Sequence, residues 1–211
     1  MSVLIFSFLV AVLSWTLTAW LRRYALSRSL MDVPNARSSH SQPTPRGGGM
    51  AIVAAFLFAL CIAFFMGMGV QTEYFYALIG AGALIAVLGF LDDHGHIAAR
   101  WRLLGHFTAA AWVLFWLNGL PPVQVFGHIV DLGWLGYLLA SLYLVWLLNL
   151  YNFMDGIDGI ASVEAISVCL GGALMYGFLR HFNMLLLPLL LAAAVAGFLF
   201  WNFPPARIFM G

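Results

Sequence analysis

The chain has 211 residues, 64% of them hydrophobic and 8% charged, with a formal net charge of +1. An ordinary soluble domain carries roughly 25% charged residues, so the composition excludes one and calls for an integral membrane protein with no nucleic-acid partner. The uninterrupted apolar runs exclude the alternating pattern of a membrane β-barrel, which leaves helices, the other way to satisfy backbone groups in lipid.

A span needs ~20 apolar residues, and seven are predicted, at roughly 2–21, 48–68, 74–91, 103–119, 134–151, 161–179 and 184–201. They form one transmembrane domain over residues 1–211, an all-α bundle. Its nine basic residues are all arginines. Arg22, Arg23, Arg28, Arg37 and Arg46 lie between spans one and two, Arg100 and Arg102 follow span three, Arg207 follows span seven, and Arg180 alone falls on the other side. The positive-inside rule places the arginine-bearing loops in the cytoplasm and the N-terminus outside. The first apolar run lacks a basic leader and a clear cleavage site, so it reads as a retained span. Cys61 and Cys169 have no CxxC partner and read as packing residues.

The first long loop contains DVPNARSSHSQPTPRGGG. Asp32-Val33-Pro34-Asn35 reads as a turn, and Pro43 and Pro45 forbid regular helix. Gly47, Gly48 and Gly49 open span two, where glycine backbone N–H groups can approach an anion. Arg37, His40 and Arg46 add cationic donors suited to phosphate. A basic topogenic loop with a glycine hinge is the plainer reading, and composition alone favours it.

Glu73 is expected to be a solvated charge between spans two and three. Gly80, Gly82 and Gly89 in span three allow close helix packing. That span ends in FLDDHGH, where Asp92 and Asp93 repel unless a cation or strong donors face them. The bland alternative is a helix end with solvated acids balanced by Arg100 and Arg102. Alternation around Gly127-His128 predicts a short periplasmic β-hairpin, which His128 and Asp131 serve.

Span five runs into NLYNFMDGIDG. Asn149 and Asn152 are three apart, as are Asp155 and Asp158, so each pair is expected to share a helix face. Gly156 and Gly159 allow the backbone to approach a ligand. This oxygen-rich cluster suits Mg²⁺ with phosphate rather than zinc. Against it stands a hydrated loop of ordinary turn formers. Glu164 is expected to begin span six, and Pro188 to kink span seven. NFPPARIFMG closes the sequence, with Asn202, Arg207 and Phe209 on the cytoplasmic face.

With DVPNARSSHSQPTPRGGG, GFLDDHGH, NLYNFMDGIDG and NFPPARIFMG in that order, the chain resembles the polyprenyl-phosphate N-acetylhexosamine-1-phosphate transferases. TPRGGG is similar to the branch that starts O-antigen and teichoic acid chains. The related peptidoglycan translocases carry a lysine where His96 stands here. The resemblance implies transfer of a sugar-1-phosphate from a UDP-N-acetylhexosamine to polyprenyl (undecaprenyl) phosphate, with release of UMP. It further implies Mg²⁺, or Mn²⁺ in its place, a homodimer, a bacterial inner membrane, and lipopolysaccharide or other cell-wall glycan synthesis. By the same resemblance Asp92, Asp93, Asp155 and Asp158 are the catalytic acids, with Asp155 and Asp158 toward the metal. Asn152, Gly156, Asn202, Phe209, Arg37, His40, Arg46, Gly48 and Gly49 bind substrates, with Phe209 stacked on uracil. In the family an Asp that binds the metal follows FMG, so the chain, which stops at Gly211, is expected to be C-terminally truncated.

A phosphate monoester has a second pKa near ~6 and is already largely dianionic at neutral pH. Asp92 is therefore expected to position and polarise rather than to remove a proton. The competing classes are a transporter and a non-catalytic membrane subunit. Transporters place ionisable groups near the bilayer midplane, whereas these acids sit at span ends.

Overall fold

The computed structural model describes residues 3–34, 42–95 and 97–211. Its helices are α1 (Val3–Ser27), α2 (Gly49–Phe65), α3 (Thr72–Gly95), α4 (Ala99–Trp116), α5 (Gly133–Met154), α6 (Ile160–Phe178) and α7 (Phe182–Asn202). Each of the seven predicted spans therefore has its helix. Five of them, α1, α3, α5, α6 and α7, are long and apolar enough to cross a membrane. The apolar α2 has 17 residues, and α4 carries Arg100, Arg102 and His106 in its first half. The protein is an all-α integral membrane protein.

Several ends move relative to the sequence reading. α1 runs to Ser27, past Arg22 and Arg23. α3 runs to Gly95, so Asp92 and Asp93 lie in its last turns rather than beyond it. The acid that opens α3 is the exposed Glu73, which suits the positive end of the helix dipole. Glu164 does not open α6: that helix starts at Ile160, and Glu164 Oε2 is buried there with no hydrogen-bond partner among the described residues. α7 continues through Pro188.

Two short strand pairs complete the fold. β1 (Met31–Asp32) pairs antiparallel with β2 (Thr44–Pro45), so Asp32 is a strand residue, and Asn35 of the expected turn lies outside the described residues. β3 (Val123–Val125) pairs with β4 (His128–Val130) in the expected hairpin. Its tip is Phe126-Gly127, both with positive φ (48° and 83°), as a two-residue turn matched to strand twist requires. Asp131 Oδ1 accepts from Gly133 N at 2.9 Å and starts α5.

The core lies where α7 packs between α1 and α2. Phe198, Leu60 and Leu190 are fully buried there. α5 is the opposite case: Gly136 and Val145 are its buried residues, and Leu138, Leu142, Tyr143 and Trp146 face outward. Apolar exposure of this kind is what a lipid-facing helix presents.

Small residues set the closest approaches. A Cβ on Gly197 would stand 2.2 Å from the backbone oxygen of Ala11. Gly80 leaves room for the Trp112 ring, whose Nε1 donates to Tyr76 O at 2.8 Å. Gly82 meets Leu57, whereas Gly89, expected to do the same work, has nothing within 4 Å of a built Cβ. Backbone cannot yield as a side-chain tip can, so Gly197→Ala should force α1 and α7 apart and cost about 1–3 kcal/mol. Gly172→Ala, where a Cβ meets open space, should leave thermal unfolding in detergent unchanged. Equal melting temperatures for the two variants would contradict this packing.

Candidate active site

The motif segments come together at one end of the bundle. The ends of α1, α3, α5 and α7 meet the starts of α2, α4 and α6 there. The β3–β4 hairpin, between the end of α4 and the start of α5, lies at the other end.

Asp92 and Asp93 stand on the negative end of the α3 dipole and next to each other, so both need compensation. Asp92 receives it from α4 and the connecting turn. Arg102 Nη1 is 2.8 Å from Asp92 Oδ2, and Ile97 N donates to Oδ1 at 2.8 Å. Asp93 is faced by Arg46, whose Nη2 donates to the Asp93 backbone oxygen at 2.8 Å and whose Nε is 3.9 Å from Oδ1. Two backbone segments crowd the Asp93 carboxylate. A Cβ on Gly211 would lie 2.8 Å from its Oδ2, and one on Gly47 would lie 3.5 Å away. Gly47 also has φ +92°, a conformation that favours glycine.

The glycine run has a different use from the one expected. Gly48 N donates to Phe209 O at 2.9 Å, Gly49 N to Met210 O at 2.7 Å, and Phe209 N to Pro45 O at 2.8 Å. The N–H groups of Gly48 and Gly49, read as phosphate donors, are thus occupied by the segment after α7. A Cβ on Gly48 would stand 2.4 Å from Phe198 and 2.9 Å from Phe209 O. These glycines let residues 208–210 lie against the start of α2. Arg37, His40 and His96 lie outside the described residues.

The NLYNFMDGIDG segment splits into two parts. Asn149 and Asn152 are both in α5, as the spacing predicts. Asn149 Nδ2 donates to Val145 O at 2.7 Å and lies 3.4 Å from His106 Nδ1. Asp155 and Asp158 do not share a helix face. α5 ends at Met154, and Gly159, at φ +76°, turns the chain into α6. Asp155, with Asn152 and Tyr151, lines an apolar cleft of about 540 Å³ between α3, α4 and α5, closed at one side by Met210 and Gly211. Burial pushes the Asp155 carboxyl above the usual aspartate range, and Asp158 pushes it the same way. A cation at Asp155 would offset both effects. Asp158 lines another cavity, with Gly159, Glu164 and Pro204. Its Oδ2 accepts from Ala206 N at 2.8 Å.

Asn202 is 2% exposed and uses both ends of its amide internally. Oδ1 accepts from Gly159 N at 3.0 Å, with Ser162 Oγ at 3.5 Å, and Nδ2 donates to Ile208 O at 3.0 Å. Read as a substrate contact, it is instead the joint between the DGIDG turn and NFPPARIFMG. Arg22 Nε adds a bond to Arg207 O at 3.1 Å. Among the described residues no group of three or more His, Cys, Asp or Glu side chains is placed to hold a metal ion. The oxygen donors that line the cleft, Asp155 and Asn152, are of the kind a hard cation takes.

Sequence reasoning named Arg102, with Arg100, only as general balance for the two acids, and the structure pairs it with Asp92. Its spacing of ten residues from Asp92 crosses a helix boundary, so no periodicity signals the pair. The joints also separate folding from ligand contact. Asn202→Ala leaves Gly159 N and Ile208 O unpaired and should cost about 1–3 kcal/mol per orphaned group. Gly156→Ala, where a Cβ meets nothing within 4 Å, should unfold at the same temperature as the unaltered chain. Thermal unfolding without ligand checks both, and an unshifted Asn202→Ala would show that the amide is not the joint.

Residues 74–211 match the family described as Glycosyl transferase family 4. The chain is 34% identical over 217 residues to a probable undecaprenyl-phosphate N-acetylglucosaminyl 1-phosphate transferase of Bacillus subtilis, covering 99% of this chain and 58% of that protein. It is 32% identical to a decaprenyl-phosphate N-acetylglucosaminephosphotransferase of Mycolicibacterium smegmatis, over 95% of this chain and 53% of that protein. A phospho-N-acetylmuramoyl-pentapeptide-transferase of Bacillus pumilus matches at 27%, over 99% of this chain and 68% of that protein. The chain thus spans just over half the length of the two N-acetylglucosamine relatives. With a family match that takes in both acid clusters and the segment after α7, the chain belongs to glycosyl transferase family 4.

Proposed function

We propose that this chain carries the site at which an N-acetylhexosamine-1-phosphate is moved from a UDP-sugar to a polyprenyl phosphate. An oxygen of the lipid phosphate bonds to the β-phosphorus, the bond from that phosphorus to the bridging oxygen breaks, and UMP leaves with that oxygen. The observation that carries the reading is the cleft beneath Asp155. Its walls are apolar and its rim holds Asp155 and Asn152, with Gly211 leading to Asp93. A lipid chain suits the walls, and phosphates with their counter-ions suit the rim. Names of the relatives favour N-acetylglucosamine over the muramoyl-pentapeptide as the sugar. O-antigen initiation is the pathway the TPRGGG motif favours.

Mg²⁺ would be held by Asp155 together with the diphosphate, with Asn152 and Asp93 close to the same rim, and Asp158 would hold the turn that presents Asp155. When bound, the ion would neutralise charge developing on the departing UMP. Residues of the chain do the rest. Arg46 holds the end of α3 and presents a cationic edge at Asp93. The joint at Asn202 keeps Asp155 and the 208–210 segment at one rim. Lipid phosphate, dianionic near neutral pH, needs no base. The arginine-rich loops support a cytoplasmic site with the N-terminus outside. A homodimer follows from the family resemblance.

Membranes carrying the chain, given polyprenyl phosphate, Mg²⁺ and a panel of UDP-N-acetylhexosamines, should release UMP fastest from UDP-N-acetylglucosamine. Asp155→Asn should lower that rate by roughly 10²-fold or more without loss of fold. Asp158→Asn should lower both rate and melting temperature. UMP release that Asp155→Asn leaves intact would sink the assignment.

A further inference from the structure

We propose that Arg102 is a positioning residue, which commits Asp92 to the α3–α4 junction and leaves Asp93 as the acid of the pair that faces the reacting phosphates. The inference rests on the transferase reading and divides labour within a pair that the sequence presents as equivalent.

The division is visible in how each carboxylate is used. Both oxygens of Asp92 are engaged, Oδ2 by the Arg102 guanidinium and Oδ1 by the Ile97 backbone N–H, each at 2.8 Å. An acid held this way has its charge offset and its rotamer set by two different elements. Arg46 treats Asp93 differently. Its short bond, 2.8 Å, goes to the Asp93 backbone oxygen at the end of α3, and only its Nε, 3.9 Å away, approaches the carboxylate. Among the described residues no hydrogen bond holds the Asp93 carboxylate itself. What crowds it is backbone: Gly47 and Gly211, the second of which also lines the cleft with Asp155 and Asn152.

Electrostatics gives the reason for the arrangement. Two adjacent carboxylates on a helix C-terminus repel each other and the helix dipole. Pairing one closely with an arginine lessens the repulsion between the two and leaves the other carboxylate bordered by the backbone of Gly47 and Gly211. Arg102 is well placed to do this without entering the cleft. It sits in the first turn of α4, and its side chain is 40% exposed. The pair also closes the three-residue connection between α3 and α4 and so fixes the direction in which the end of α3 points.

A cycle of Asp92→Asn, Arg102→Gln and the double variant tests this, with Asp93→Asn alongside. UMP release would be measured as kcat and KM for the UDP-sugar. Arg102→Gln alone should lower kcat by roughly 10²-fold with a smaller change in KM, as misplacement of a reacting group does. Combining it with Asp92→Asn, which keeps an acceptor for Ile97 N and removes the unpaired charge, should bring kcat back to within about tenfold of the unaltered chain. Asp93→Asn should stay inactive in either background. A double variant no more active than Arg102→Gln alone would overturn the proposal, because removing the unpaired Asp92 charge would then restore nothing.

If the unaltered chain releases no UMP, the transferase reading fails for it and the positioning role is judged separately. Asp93→Cys, made with Cys61→Ala and Cys169→Ala, would be labelled by a membrane-impermeant maleimide. Arg102→Gln should change the labelling rate roughly threefold or more, and Asp92→Asn added to it should restore the rate. A rate at position 93 indifferent to Arg102 would overturn the positioning role.

Discussion

The site depends on a backbone clasp. Residues 208–210, which follow α7, lie against the start of α2 through Gly48 N to Phe209 O, Gly49 N to Met210 O and Phe209 N to Pro45 O. Three backbone bonds across so long a sequence separation need two chains at main-chain distance. Only residues without a Cβ allow that at Gly48, where the ring of Phe198 and the oxygen of Phe209 leave no volume. The clasp brings Gly211 to the Asp93 carboxylate and to the rim of the cleft. Without it, the acids of α3 and of the α5–α6 turn would belong to separate parts of the bundle.

A second joint works with the first. Asn202 ties the α6 start to the turn after α7, and Asp158 holds Ala206 N in the same turn. Both residues thereby hold the frame, whereas Asp155 and Asn152 face the cleft. Each polar group in this region costs free energy when buried without a partner. Among the described residues Asn202 and Asp158 are paired internally, while Asp155 and Asn152 line the cleft and Asp93 stands beside Gly211 at its rim. That economy suits a site that recognises charge at the boundary of an apolar cleft. It does not suit a polar path through the bundle, since the four motif acids stand at one end and the described core shared by α1, α2 and α7 is built mainly of apolar side chains.

Charge compensation at the end of α3 follows the same logic. The helix carries two acids at its unfavourable end, and arginines from the loop before α2 and from α4 converge on them. The result is an asymmetric pair, one acid bound tightly on both oxygens and one approached loosely. The composition of the arginine-bearing loops, read first as topology, thus also serves local electrostatics.

Membrane class, seven helices, the hairpin and the identity of the acid motifs were legible in the sequence, because hydropathy and turn chemistry are local properties. The run of apolar residues decides a span whatever it packs against, and Phe126-Gly127 decides a tight turn by backbone preference alone. What each motif residue touches was not legible. Asp155 and Asp158 have the spacing of one helix face, but α5 ends at Met154, before either, and the turn through Gly159 sends them to different cavities. Gly48 and Gly49 have the composition of an anion loop, yet their N–H groups meet a segment about 160 residues further on. Asn202 has the look of a polar contact and is a buried joint. Asp92 and Asp93 are indistinguishable neighbours until Arg102 and Arg46 arrive from other elements. Sequence by itself determined which groups stand at this end of the bundle, because each is fixed by its own helix end. Only the tertiary structure decided which are consumed in holding the frame and which line the cleft, because a hydrogen bond is spent on the nearest partner in space, and that partner is distant along the chain.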